Sequence, residues 1–127
     1  GTTLPPQTIV PGNVAFVRFF SDDIVTTAGF SATYNGVAQQ AVWPGDCNAD
    51  RVVDLGDLFF CASGYGQTGP ARANQGVSWT AYLSDNWPTS LNYRGTPVNA
   101  AHLDANGDGS VNLFDVAATI ANRGLSY

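Results

Sequence analysis

The chain has 127 residues, only 12% of them charged, with five Lys and Arg against ten Asp and Glu, a net charge of −5. That length holds one modest core, and five basic residues exclude the basic patch that nucleic acid or an anionic membrane needs. No apolar run approaches the roughly 18 residues of a membrane span, and with no signal-type start and Gly1 in place of Met, the expectation is a chain that is mature or cut from something larger.

Residues 1–13, GTTLPPQTIVPGN, hold three of the seven prolines and are expected to be extended. Thr8-Ile9-Val10 is a short β-capable segment able to lie along another chain's sheet; a leader or linker is the alternative reading. Thr2, Thr3 and Thr8 beside prolines are weak candidates for O-glycosylation. In residues 14–42, VAFVRFF (Val14–Phe20) and GFSATYN (Gly29–Asn35) read as strands separated by the polar SDDIVTTA. Through Phe19, Ser21, Asp22, Gly29, Phe30, Ala32 and Tyr34 this segment resembles the last two strands of a CUB domain, a jelly-roll sandwich whose earlier strands have no counterpart upstream. A lone two-stranded hairpin is marginal in water, so Phe16, Phe19, Phe20, Phe30 and Tyr34 require cover. It is expected either from a strand at Gly76–Leu83 or from a neighbouring subunit that adds strands to the open edge.

Two acidic loops follow, DCNADRVVDLGD from Asp46 to Asp57 and DANGDGSVNLFD from Asp104 to Asp115, each twelve residues long and each beginning and ending on Asp. Ca²⁺ takes six to eight oxygens at about 2.3–2.6 Å, and a twelve-residue loop supplies them from side chains at positions 1, 3, 5, 9 and 12 and the carbonyl at position 7. Those positions are Asp46, Asn48, Asp50, Asp54 and Asp57 with the carbonyl of Val52, and Asp104, Asn106, Asp108, Asn112 and Asp115 with the carbonyl of Ser110. Every one donates oxygen, and the expectation is two Ca²⁺ sites, which would bring the net charge of −5 to about −1. Position 6 must turn sharply, which suits Gly109 better than Arg51. Val53 and Val111 at position 8 suit a short antiparallel contact between the two loops.

The apolar residues Leu58, Phe59, Phe60 and Ala62 after the first loop, and Val116, Ala117, Ile120 and Ala121 after the second, predict short exit helices that stop at glycine. Trp43-Pro44 argues against a helix ahead of the first loop. A loop with one exit helix and Asp at position 12 is similar to dockerin domains. The match is most detailed to dockerin-like modules of secreted Bacteroidota-type proteins, on VWPGD (Val42–Asp46), YGQTGPAR (Tyr65–Arg72) and HLDANGDG (His102–Gly109). The resemblance covers Val42 to Tyr127 and implies calcium binding, secretion and docking onto a cohesin-like partner. The loops start 58 residues apart, wider than a compact dockerin, so residues 73–101 read as an insertion carrying Trp79, Tyr82, Trp87 and Tyr93.

Cys47 at position 2 of the first loop and Cys61 one turn after Asp57 are expected to form a disulfide, closing a loop of about 15 residues worth roughly 3 kcal/mol in the chain-entropy model; two buried thiols are the alternative. The stretch Gly64–Gly69 formally matches a dinucleotide-binding GxGxxG but follows a helix, so it reads as a helix-terminating turn. No Ser or Cys sits in a nucleophile elbow, the lone His102 precedes the second loop, and the carboxylates are almost all committed to the loops. The aromatics of the insertion read as a covering layer or, alternatively, as a sugar-stacking platform.

The sequence therefore predicts an α+β fold. Its parts are an extended segment (1–13), a β-strand segment open to completion by another chain (14–42) and a dockerin-like module of paired loop–helix units (43–127). The function expected is non-enzymatic extracellular assembly, a self-associating subunit of a surface fibre or matrix. The alternatives are a plug for a cohesin-like protein and a carbohydrate-binding module.

Overall fold

The computed structural model describes residues 36–127, and the two strands expected at Val14–Phe20 and Gly29–Asn35, like residues 1–13, lie outside the described residues. The chain divides into a unit Gly1–Gly36 and a unit Val37–Tyr127. The second unit is a small mixed α+β fold with strands β1 (Gln39–Val42), β2 (Tyr82–Asp85), β3 (Ser90–Tyr93) and β4 (Thr96–Asn99). Its two nine-residue helices are α1 (Leu55–Ser63) and α2 (Leu113–Ala121).

Both helices begin inside the acidic loops, two residues before the last Asp, because each loop supplies its own cap. Asp54 and Asn112 are the N-caps, accepting from the amides of Gly56 and Phe114, while the third helical residues, Asp57 and Asp115, accept from the amides of Asp54 and Asn112 at 2.8 and 2.7 Å. This reciprocal box satisfies otherwise orphaned amides and puts a carboxylate at the positive end of each helix. α1 stops at Gly64, as expected; a Cβ there would lie 2.1 Å from Leu103 Cδ2. α2 stops at Asn122, two residues before the expected Gly124, where the Asn122 side chain donates through Nδ2 to the carbonyls of Pro44 and Val77, both at 2.8 Å.

The loops do not pair with each other through Val53 and Val111. Each pairs instead with the segment leaving the opposite helix. Val53 N–H donates to Leu125 O at 2.9 Å and Gly124 N–H to Val53 O at 2.8 Å, with a bridge between Val52 and Ser126. In the other half, Val111 N–H donates to Gln67 O at 2.9 Å and Gly66 N–H to Val111 O at 2.8 Å, with a bridge between Thr68 and Ser110. The two repeats thus clasp reciprocally, and each loop's far side is fixed by chain from the other repeat.

The intervening segment is part of the core. β2 pairs antiparallel with β1, Val42 opposite Tyr82 and Gln39 opposite Asp85. The expected strand at Gly76–Leu83 starts only at Tyr82, because the upstream chain turns on itself (Thr80 N–H to Ser78 O) and gives its Gly76 amide to Asn106 O. β3 and β4 form a hairpin with Tyr93 opposite Thr96. Its two-residue turn, Arg94-Gly95, has φ of +49° and +93°, the left-handed pair that matches strand twist. Trp87, Val98, Ala100, Ala101 and Leu103 then pack with Phe60, Cys47, Cys61 and Val111 into one cluster, flanked by Leu91, Tyr93 and Val116. The Trp87 indole donates to Pro70 O at 3.1 Å, and a Cβ on Gly69 would sit 2.2 Å from its ring.

Candidate metal loops

In the first loop, Asp46 is 1% exposed and accepts from Asp50 N–H on Oδ1 at 3.0 Å and from Arg51 N–H on Oδ2 at 3.1 Å. Asp57 is 0% exposed and accepts from Asn48 N–H at 3.1 Å and Asp54 N–H at 2.8 Å. Asn48 Oδ1 takes the Asp50 amide at 2.9 Å, and Asp50 Oδ1 takes the Val52 amide at 3.1 Å. The loop is an unbroken run of side-chain-capped turns, with its oxygens gathered inward by its own backbone.

The second loop repeats this bond for bond. Asp104 accepts from Asp108 and Gly109 N–H at 3.1 and 2.9 Å, with Gly107 N–H added at 2.8 Å. Asn106 Oδ1 takes the Asp108 amide, Asp108 Oδ1 the Ser110 amide, both at 2.9 Å, and Asp115 takes the Asn106 and Asn112 amides. The sixth residues both adopt the left-handed conformation, Gly109 at φ +89° and Arg51 at φ +77°. Asn112 at position 9 donates to Ser110 O at 3.2 Å, so positions 7 and 9 bond to each other.

Burial makes these carboxyls weaker acids than usual. Desolvation lifts Asp57 and Asp104 from 3.8 to about 6, with Asp46 and Asp50 repelling the first and Asp115 the second. Asp46 and Asp115 also move up, chiefly through desolvation. Among the described residues, no three His, Cys, Asp or Glu side chains converge as a group that could hold a metal ion by themselves.

Two residues at these loops were not singled out in the sequence. The C-terminal Tyr127 donates its hydroxyl to Asp46 Oδ2 at 3.1 Å, and its ring stacks on Trp43 at 4.3 Å beside Trp79. Arg72 is buried, donates to the carbonyl of Ala105 at 2.7 Å, and fills the space that a side chain on Gly107 would need. Neither carries a spacing signal, since both reach their loop across the clasp. Burial depresses His102 to about 4, so it is neutral at pH 7. Trp87 lies in the core and Trp79 packs against Trp43 at 5.1 Å, so the two do not form one exposed platform. Cys47 and Cys61 are both present as buried thiols.

No family model, curated protein or solved structure matches this chain. Among the described residues no helix is long and apolar enough to cross a membrane.

Proposed function

We propose that this chain is a non-enzymatic calcium-binding module of dockerin-like type that serves extracellular assembly. The observation that carries the reading is the duplicated cradle of buried carboxylates. Asp46 and Asp57 in one repeat, Asp104 and Asp115 in the other, are drawn inward by main-chain amides and made costly to ionise by burial. A divalent cation offsets that cost. The donors fit a hard ion, being carboxylates with the amide oxygens of Asn48 and Asn106 and the carbonyls of Val52 and Ser110 and with no imidazole or thiolate. Two carboxylates of each loop are buried, while Asp50 and Asp54 in the first and Asp108 in the second are exposed, so neutral oxygens complete the set. Bound only to the folded state at 100 times its dissociation constant, an ion adds about 2.7 kcal/mol per site, against about 5–15 kcal/mol for a whole domain.

Assembly with further copies of the chain is supported by the narrow β1–β2 sheet, whose Leu83 is 67% exposed, and by Val37 just ahead of β1, 61% exposed. Light scattering on a sizing column with calcium and then with chelator tests this. Polymer in calcium that dissociates on chelation is expected, and polymer that persists with both loops empty overturns it. A second reading, docking onto a cohesin-like receptor, is favoured by the apolar side chains that the helices leave in solvent, Leu55 and Phe59 on α1 and Leu113, Phe114 and Ile120 on α2. It requires instead a monomer that binds one foreign partner and loses it with Asp104→Ala.

A further inference from the structure

One pair of reactive groups is left unused by the calcium reading. Cys47 sits at position 2 of the first loop, between Asp46 and Asn48, and Cys61 lies on α1 four residues after Asp57. Both are 0% exposed. Both thiols belong to one buried cluster, with Cys47 Sγ 3.5 Å from Thr119 Oγ1 and Cys61 donating to Leu103 O at 3.6 Å. In the second repeat the same positions, 58 residues on, are Ala105 and Thr119. A covalent tie is therefore available to one loop only. It is also the loop whose sixth residue is a strained Arg51 in place of glycine.

We propose that Cys47 and Cys61 form a disulfide that fastens the first loop to its exit helix, so that the redox state of the pair sets the calcium affinity of the first loop and leaves the second unchanged. The inference rests on the calcium reading of the loops. The oxidant is a small-molecule or protein disulfide, RSSR. One thiolate attacks it and expels RS⁻, and the other attacks the resulting mixed disulfide and expels the second RS⁻. The net change converts two Cys thiols and RSSR into one intramolecular disulfide and two RSH, with two electrons passing to the oxidant. Full burial confines this exchange to the open chain during folding and shields the bond afterwards. Because the tie joins the neighbour of position 1 to the helix that carries position 12, it removes in advance part of the ordering cost that ion binding otherwise bears.

The test uses the full chain, unfolded and refolded either in a mixture of oxidised and reduced glutathione or in reductant. Intact mass reports the loss of two hydrogens, and calcium titrations in Asp108→Ala and Asp50→Ala backgrounds report the first and second loop separately. Oxidation is expected to tighten the first loop by about tenfold or more and to leave the second loop's affinity unaltered. Cys47→Ala with Cys61→Thr, which copies the pair of the second repeat, is expected to bind like the reduced protein in either buffer. Absence of the mass loss, or equal first-loop affinities in the two states, overturns the proposal. If neither state binds calcium, the calcium reading is what fails, and hydrogen exchange then decides the lock: slowing confined to residues 46–57 on oxidation upholds it, and equal exchange overturns it.

Discussion

Replacing Gly109 by Ala places a methyl group where the two repeats touch. At φ +89° an Ala adopts the left-handed region, at a cost of about 1–2 kcal/mol. Its Cβ would meet Gly69 O at 2.8 Å and Ala71 N at 3.2 Å, main-chain atoms that cannot rotate away. Relief requires the clasp to open at the bond from Gly69 N–H to Gly109 O, now 3.0 Å, which adds about 1 kcal/mol. The sum of about 2–3 kcal/mol lowers the melting temperature by roughly 10–20 °C for a unit of this size. Arg51→Gly at the equivalent position acts oppositely, relieving the strain at φ +77° for a net gain of up to about 1 kcal/mol after the entropy of the added glycine. Circular dichroism melts of both variants in chelator measure the difference. If Gly109→Ala melts within about 2 °C of the parent, the reciprocal clasp is not what holds the second loop.

In the metal-free protein, acid is expected to stabilise. Asp57 and Asp104 are raised from 3.8 to about 6, so the stability that they contribute is fully present below 3.8 and lost as pH rises through about 6, about 3 kcal/mol each. His102, depressed from 6.5 to about 4, works the other way by a similar amount, leaving a net gain of about 2–3 kcal/mol from pH 7 to pH 4. Calcium inverts this order because protons compete for the same oxygens; a chelated protein that melts higher at pH 7 than at pH 4 contradicts the assignment. Tyr127→Phe keeps the stack on Trp43 but removes the hydroxyl from Asp46. Urea unfolding should register a loss of about 1 kcal/mol. Trp87→Ala, which empties a core position, should cost about 3–5 kcal/mol, and the half-exposed Trp79 less than about 2 kcal/mol. Equal costs in urea would mean that the two rings have been assigned to the wrong environments.

Local chemistry made the loops and helices legible. Asp, Asn and Gly at fixed offsets announce side-chain-capped turns, and the apolar stripe after each loop announces a helix. The helices start three residues earlier than the apolar stripes alone predict, because Asp57 and Asp115 end their loops and also complete capping boxes with Asp54 and Asn112. Pairing between repeats was not legible, since Val53 and Val111 look alike and nothing local tells them to seek Leu125 and Gln67. The β3–β4 hairpin was missed because its turn is Arg94-Gly95, and an arginine at positive φ lacks the Asn or Asp that usually signals such a turn. Trp87 reads more readily as core than as a sugar-facing ring, and the bond to Pro70 O and the close approach of Gly69 hold it there.

The central claim is that two matched oxygen cradles each hold a divalent ion. Isothermal titration of the chelator-stripped chain with calcium tests it most directly. The account predicts two ions per chain, falling to one with Asp50→Ala or with Asp108→Ala; no heat of binding at millimolar calcium in a folded chain contradicts it.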